Sequence, residues 1–273
     1  MTAFTFQQTH ICVVLDRSGS MDACRQQTVD ALNRYIHEAR GDQYLKESDF
    51  ACLQFDTQSI DQINRFTGAP CNMPDLTLDD FVPRGGTPLY DAIGRGITHL
   101  DGKLAASKST KAILMMLTDG QENASRKHTH ESISGLIKSK QDAGWLVVFL
   151  GAGLDVAKIG FDLGVRAAYA ASVATQDAAS MQSVGGAIAH SSMGYAANAT
   201  GAEAKQWMTT GGGVQGFTPE SRLRMNAGKP ADLTPPINVL PIGQGPLPAA
   251  FQRAEDIWGQ HNDKASQSDA WGQ

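Results

Sequence analysis

From Ile11 to Leu15 every position is apolar and β-favouring, and the run stops abruptly at Asp16-Arg17-Ser18-Gly19-Ser20. Past Met21 the period becomes helical, with Val29, Leu32, Ile36 and Ala39 on one face. A strand over 9–15 thus hands over to a helix over 22–40, which Gly41 stops. Phe50, Cys52, Leu53 and Phe55 mark a second strand over Asp49–Phe55, and Ile60, Ile63 and Phe66 a less regular one over 59–66. Residues 67–84 carry Gly68, Pro70, Pro74 and Pro83 and read as a loop with at most one short helix. Pro88 fits the first position of a helix, and Leu89, Ile93, Ile97 and Leu100 follow at helical spacing. Gly94 and Gly96 weaken that helix and point to close packing against a neighbour. The unbroken apolar run from Ala112 to Leu117 is typical of a central parallel strand covered on both faces. A helix over 128–142, a strand over 145–150, a short helix near 155–162, a weak strand near 166–171 and a last helix over 175–198 complete the pattern.

Strands alternating with helices predict an α/β fold: a doubly wound, mostly parallel sheet with helices on both faces, occupying residues 1–200. Beyond Gly201 the glycines at 211–213 and the prolines at 219, 230, 235, 236, 241, 246 and 248 break any long element. Residues 201–273 are therefore expected to form an extended Pro/Gly-rich C-terminal arm, with one short helix over 249–258 and Trp258 and Trp271 as anchors to a partner.

Chemistry concentrates where the first strand ends. In open α/β sheets ligands bind at that carboxyl edge. Asp16, Ser18 and Ser20 bring one carboxylate and two hydroxyls there, a set of oxygen donors that suits hard cations such as Mg²⁺. Ser18 and Ser20 alternate along the loop and can point to one side, and Gly19 between them is expected to adopt a backbone that a Cβ would resist. A helix N-cap accounts for the same stretch equally well. Thr87 stands just before the next helix, where a capping role is again open. Asp119 lies past the central strand, beside Gly120, in a position that suits a ligand as well as a turn.

Taken together, Asp16-Arg17-Ser18-Gly19-Ser20-Met21, Gly85-Gly86-Thr87-Pro88 and Leu117-Thr118-Asp119-Gly120 resemble the metal-ion-dependent adhesion site of von Willebrand factor type A (VWA) domains. The resemblance covers roughly residues 8–170, and the stretch from Asp119 to Arg126 is similar to small single-domain VWA proteins of bacteria and phages. It implies a Rossmann-like sheet with one antiparallel edge strand, here 59–66. It also implies a metal site of Asp16, Ser18, Ser20, Thr87 and Asp119, holding Mg²⁺, with Mn²⁺ or Ca²⁺ as alternatives. The three hydroxyls would bind directly, Thr87 in the ligand-engaged state, and the two carboxylates mainly through water. That division leaves the cation electrophilic toward an Asp or Glu of a protein partner. By the same resemblance, and because of its two glycines, the Gly85-Gly86 loop is expected to move with ligand.

Composition narrows the function further. A net charge of −5 with no basic stripe argues against nucleic acid, and no apolar run approaches membrane-spanning length. The first six residues lack the features of a secretory signal, so a cytoplasmic location, or a virion for a phage protein, is expected. Cys12, Cys24, Cys52 and Cys71 show no metal-ligand spacing, and a reducing compartment fits them. Arg17 and Met21 are candidates for the contact surface, and Asp56 for supporting the cluster. His128 and His130 read as solvated, and the glycines at 211–213 lack the Lys-Ser/Thr of a phosphate loop. Catalysis is not expected: a Mg²⁺-dependent aspartyl phosphotransferase would carry a second Asp where Ser18 stands, and no general base accompanies Ser18 or Ser20. The competing readings are an adaptor beside an AAA+ ATPase and a component of a larger assembly such as a virion, joined through 203–273.

Overall fold

Eight residues, Thr9–Asp16, form β1, and all eight are buried. The computed structural model describes residues 7–152, 159–160, 162–174, 177–210 and 216–225, which fall in one unit spanning Met1–Leu233. Along β1, Ile11, Val13 and Leu15 enter one apolar cluster while Cys12 and Val14 enter another, as the two-residue period of a strand requires. The other strands are β2 (Asp49–Phe55), β3 (Ile60–Gly68), β4 (Lys111–Thr118), β5 (Leu146–Ala152) and β6 (Ala170–Val173). Their order is β3-β2-β1-β4-β5-β6, parallel throughout except for the antiparallel β2–β3 edge pair.

Helices α1 (Arg25–Gly41), α4 (Ala178–Ala196), α5 (Gly201–Thr210) and α6 (Pro219–Met225) supply side chains to the first cluster. Helices α2 (Leu89–Ser107) and α3 (His130–Asp142) supply the second. The expected doubly wound sheet is therefore present. Local differences have local reasons. The chain winds through a 3-10 stretch, Gly19–Cys24, before α1 begins, with the Met21 amide bonded to the Ser18 carbonyl. Pro88 is the cap of α2 and not its first residue. The 67–84 loop holds two 3-10 turns, Pro70–Asn72 and Leu78–Asp80, the second closed by reciprocal Thr77 and Asp80 bonds. All four cysteines are free, three of them buried.

The expected arm is corrected over its first part. Pro219, one of the expected breakers, instead opens a helix, the position where proline is tolerated, and another helix opens at Gly201, where the arm was expected to begin. Gly201 also lies so close to the Thr110 carbonyl that a side chain there would collide. Glu203 accepts the amides of Ala199 and Thr200, while Ala204, Met208 and Met225 are buried in the first cluster. Residues 226–273, with the helix expected over 249–258 and Trp258 and Trp271, lie outside the described residues, as does most of the short helix near 155–162. Among the described residues no helix is long and apolar enough to cross a membrane.

Gly185 and Gly186 make an internal control for the α1–α4 contact. A Cβ on Gly185 would fall 2.3 Å from the Ala31 carbonyl oxygen, whereas one on Gly186 would meet nothing nearer than 3.9 Å. Gly185→Ala is expected to lower stability by about 1–3 kcal/mol through overpacking. Gly186→Ala is expected to be neutral or to gain up to about 1 kcal/mol of helix propensity. Urea unfolding of the two variants side by side checks this; equal stabilities would show that the helices separate freely.

Candidate metal centre

The strand order reverses between β1 and β4, and the crevice outside the carboxyl ends of these two strands is the topological switch point where α/β sheets bind ligands. Asp16 ends β1 and Thr118 ends β4 beside it. Asp16 is wholly buried; its Oδ1 accepts the Ser18 amide at 2.7 Å and its Oδ2 the Thr118 hydroxyl at 2.5 Å. Burial pushes the Asp16 carboxyl up to about 6, against the pull of the Thr118 and Ser18 hydrogen bonds and with a further push from the Asp119 charge. The Asp119 carboxyl is also raised, by burial, against a hydrogen bond from Ser20.

The hydroxyls continue the cluster. Ser18 Oγ lies 3.1 Å from Ser20 Oγ, and Ser20 donates to Asp119 Oδ1 at 2.8 Å. Thr87 is buried, and a Cβ placed on Gly120 would sit 2.7 Å from Thr87 Oγ1 and 3.4 Å from Asp16 Oδ2. Gly120 is thus the gap through which Thr87 approaches Asp16. Five side chains from three loops line one place. Among the described residues no Lys, Arg or His pairs with Asp16 or Asp119. Nor does any group of three His, Cys, Asp or Glu among them have the placement to hold a metal; this cluster is two carboxylates and three hydroxyls. Two carboxylates whose charge burial disfavours, in a partly dry, oxygen-only setting, fit a hard divalent cation.

Backbone bonds lock the three loops together. Gly19 donates to the Gly85 carbonyl at 3.0 Å, and Arg84 to that of Arg17 at 2.8 Å. Thr87 and Asn123 bond reciprocally: the Thr87 amide reaches Asn123 Oδ1 at 2.9 Å, and the Asn123 amide reaches the Thr87 carbonyl at 3.1 Å. Glu122 accepts the amides of Tyr90, Ala124 and Ser125, and Asp91 those of Arg126, Lys127 and His128. The segment after Asp119 is therefore clamped to the start of α2.

Gly85 must be glycine where it stands, with φ at +68° and Thr57 Oγ1 2.5 Å from where its Cβ would lie. Several expectations are corrected here. Gly19, by contrast, has room for a Cβ, whose nearest contact would be at 3.6 Å. Arg17 and Met21 are not contact-surface residues: both are buried, Met21 in the core and Arg17 against Asp56, Ser59 and Asp61. Asp56 does not touch the cluster. Its Oδ2 accepts Arg17 and Arg84, and its Oδ1 the amides of Gln58 and Ser59. His128 is half-buried against Gly94, and His130 packs its ring on Tyr90. Thr118, Asn123, Glu122 and Asp91 escaped the sequence reading. Asn123 and Glu122 stood within the stretch compared with bacterial and phage proteins, but nothing in their spacing marked them as clamps.

No protein-family model matches the sequence, and no curated protein does. Solved structures do. The pilus adhesin SpaC of Lactobacillus rhamnosus GG, in its open conformation, superposes with a TM-score of 0.54 at 16% identity, over 69% of this chain and 31% of its own. Proximal thread matrix protein 1 of the mussel byssus gives 0.49 at 20% identity, over 68% and 48%. A von Willebrand factor type A protein of Catenulispora acidiphila gives 0.48 at 14% identity, over 69% and 43%. The chain spans less than half the length of each of these structures. Its fold is VWA-like.

Proposed function

We propose that this VWA-like chain is a protein-interaction module whose contact with its partner depends on a divalent cation, Mg²⁺ in the first instance. The observation that supports it is the meeting of Asp16, Ser18, Ser20, Thr87 and Asp119 at the switch point, with no basic side chain among the described residues to offset the two carboxylates. These five side chains would hold the cation. Bound there, it supplies a positive charge that a partner's Asp or Glu can reach. The chain's own part is to hold three hydroxyls and two carboxylates in place with the clamps at Asn123, Glu122 and Asp91. That SpaC is a pilus adhesin agrees with an adhesive role.

The test uses metal alone. Thermal unfolding is compared in EDTA and in excess Mg²⁺, Mn²⁺ or Ca²⁺. At a hundred times the dissociation constant a bound cation stabilises by about 2.7 kcal/mol, which in a domain of this size raises the melting temperature by roughly 5–10 °C. Asp119→Ala is expected to abolish the rise, and Ser20→Ala, at an exposed position, to reduce it. A wild-type chain that melts identically in EDTA and in all three metals would end this reading.

A further inference from the structure

At the opposite ends of β1 and α2, along the amino-terminal edge of the sheet, three side chains distant in sequence come together. Asp49 opens β2 in register with His10 of β1, and Ser107, the last residue of α2, lies over the same imidazole. His10 Nδ1 is 2.9 Å from Asp49 Oδ2, and His10 Nε2 is 2.7 Å from Ser107 Oγ. His10 is buried, Asp49 half-buried and Ser107 exposed. Lys103, one turn before Ser107, pairs with Asp49 at 3.0 Å.

The charge on Asp49 places one of the hydrogens. A hydrogen bond from His10 holds the Asp49 carboxyl below its ordinary range, opposed by burial and assisted by Lys103. An ionised carboxylate only accepts, so Nδ1 carries its hydrogen. In the neutral ring the Nε2 lone pair then faces Ser107, whose hydroxyl donates to it. The same hydroxyl has a second acceptor, the Lys103 carbonyl at 2.8 Å, to which it turns when the ring is protonated and Nε2 donates instead. The Ser109 amide, 3.3 Å from Ser107 Oγ, steadies negative charge on that oxygen. A nucleophile bonded to a base, itself oriented by a third group, is the arrangement that activates serine.

We propose that Ser107 is an activated nucleophile toward small esters and comparable electrophiles arriving from solvent, with His10 as its base and Asp49 as the positioning residue. Ser107 Oγ bonds to the ester carbonyl carbon as its proton passes to His10 Nε2. The bond from that carbon to the alcohol oxygen breaks, and the leaving alkoxide takes the proton from His10. Water then loses a proton to the same imidazole and bonds to the acyl carbon; the bond from that carbon to Ser107 Oγ breaks, Oγ takes the proton back from His10 Nε2, and the acid leaves. This activity is independent of the metal reading, since it sits at the other edge of the sheet.

The full chain is treated with a fluorophosphonate, which bonds phosphorus to Ser107 Oγ and expels fluoride. Adducts are followed by intact mass and located by peptide mapping, with melting measured alongside. One adduct on Ser107 is expected, unchanged by EDTA and absent in Ser107→Ala. Labelling is expected to be about a hundredfold or more slower in both His10→Gln and Asp49→Asn. His10 is buried, so His10→Gln can lose the fold; Asp49→Asn, at a half-buried position, then carries the comparison. Folded wild type without an adduct on Ser107 overturns the proposal. So does undiminished labelling in a folded variant, which would leave His10 as a clamp between β1 and α2.

Discussion

Replacing Asp16 with Asn is expected to make the metal-free chain more stable near neutral pH while removing its response to Mg²⁺. Asp16 is wholly buried, and its carboxyl titrates at about 6 in the folded chain, against 3.8 ordinarily, chiefly because burial disfavours its charge. A carboxyl raised in this way binds its proton more tightly folded than unfolded. Its favourable contribution is complete below pH 3.8 and is lost as the pH rises through about 6, after which holding the charge costs roughly 3 kcal/mol. Asn avoids that cost and can keep the bonds: its oxygen accepts the Ser18 amide, its NH₂ donates to Thr118 Oγ1, and the Thr118 hydroxyl turns to the Gly120 carbonyl, 3.2 Å away. Urea unfolding in EDTA should therefore show Asp16→Asn ahead of wild type above pH 6, with the gap closing as the pH falls toward 4. In Mg²⁺ the gap should close, because only wild type gains, by about 2.7 kcal/mol at a hundred times the dissociation constant. A variant less stable than wild type in EDTA at neutral pH would mean that the buried charge is compensated by some other group.

The conflict behind that prediction was legible in part. The change of period at Asp16 was enough to place a carboxylate and two hydroxyls at a strand end, because an apolar run covered on both faces cannot continue through Asp-x-Ser-x-Ser. Thr87, at a loop–helix junction, and Asp119, at a second strand end, could be placed beside them only because the family pattern linked the three segments. Gly120 leaves the space that Thr87 Oγ1 uses, yet in sequence Asp119-Gly120 is indistinguishable from any turn. The direction of Arg17 was also hidden. A charged residue in a polar loop reads as solvated, and only the β2–β3 corner, brought alongside by parallel pairing, provides the Asp56 that draws it inward. Pro219 misled because the same residue breaks a helix inside and suits its first turn. The approach of Ser107 to His10 depends on the length and tilt of α2, which periodicity leaves open.

Asp56→Ala is expected to produce the largest loss of stability. The Asp56 side chain is 0% exposed and that of Arg17 is 7% exposed, and they meet at 2.9 Å. Arg84 joins the same oxygen at 2.7 Å. Removing the carboxylate leaves the buried guanidinium with no charged partner nearer than the half-exposed Asp61, at 3.4 Å, beside the neutral oxygens of Ser59 and, with its amide turned, Gln54. Stranding a buried charge in this way costs about 3–5 kcal/mol. Although burial works against the Asp56 charge, the Arg84 bond, the Gln58 and Ser59 amides and Arg17 hold its carboxyl below 3.8. Its contribution is therefore present above pH 3.8 and disappears as the pH falls through the lowered folded value, so the gap between wild type and variant should narrow only in acid. The Arg17 backbone also joins the Phe55 carbonyl and the Arg84 amide, so loosening its side chain should weaken the Mg²⁺-dependent rise in melting temperature. The double replacement Arg17→Leu with Asp56→Leu distinguishes a stranded charge from a lost cross-link. Recovery of much of the stability identifies the unpaired guanidinium as the cause, since an apolar pair can replace a buried ion pair at little cost. If the double variant is no more stable than Asp56→Ala, the four bonds to Asp56, and not the charge left behind, hold this corner of the sheet.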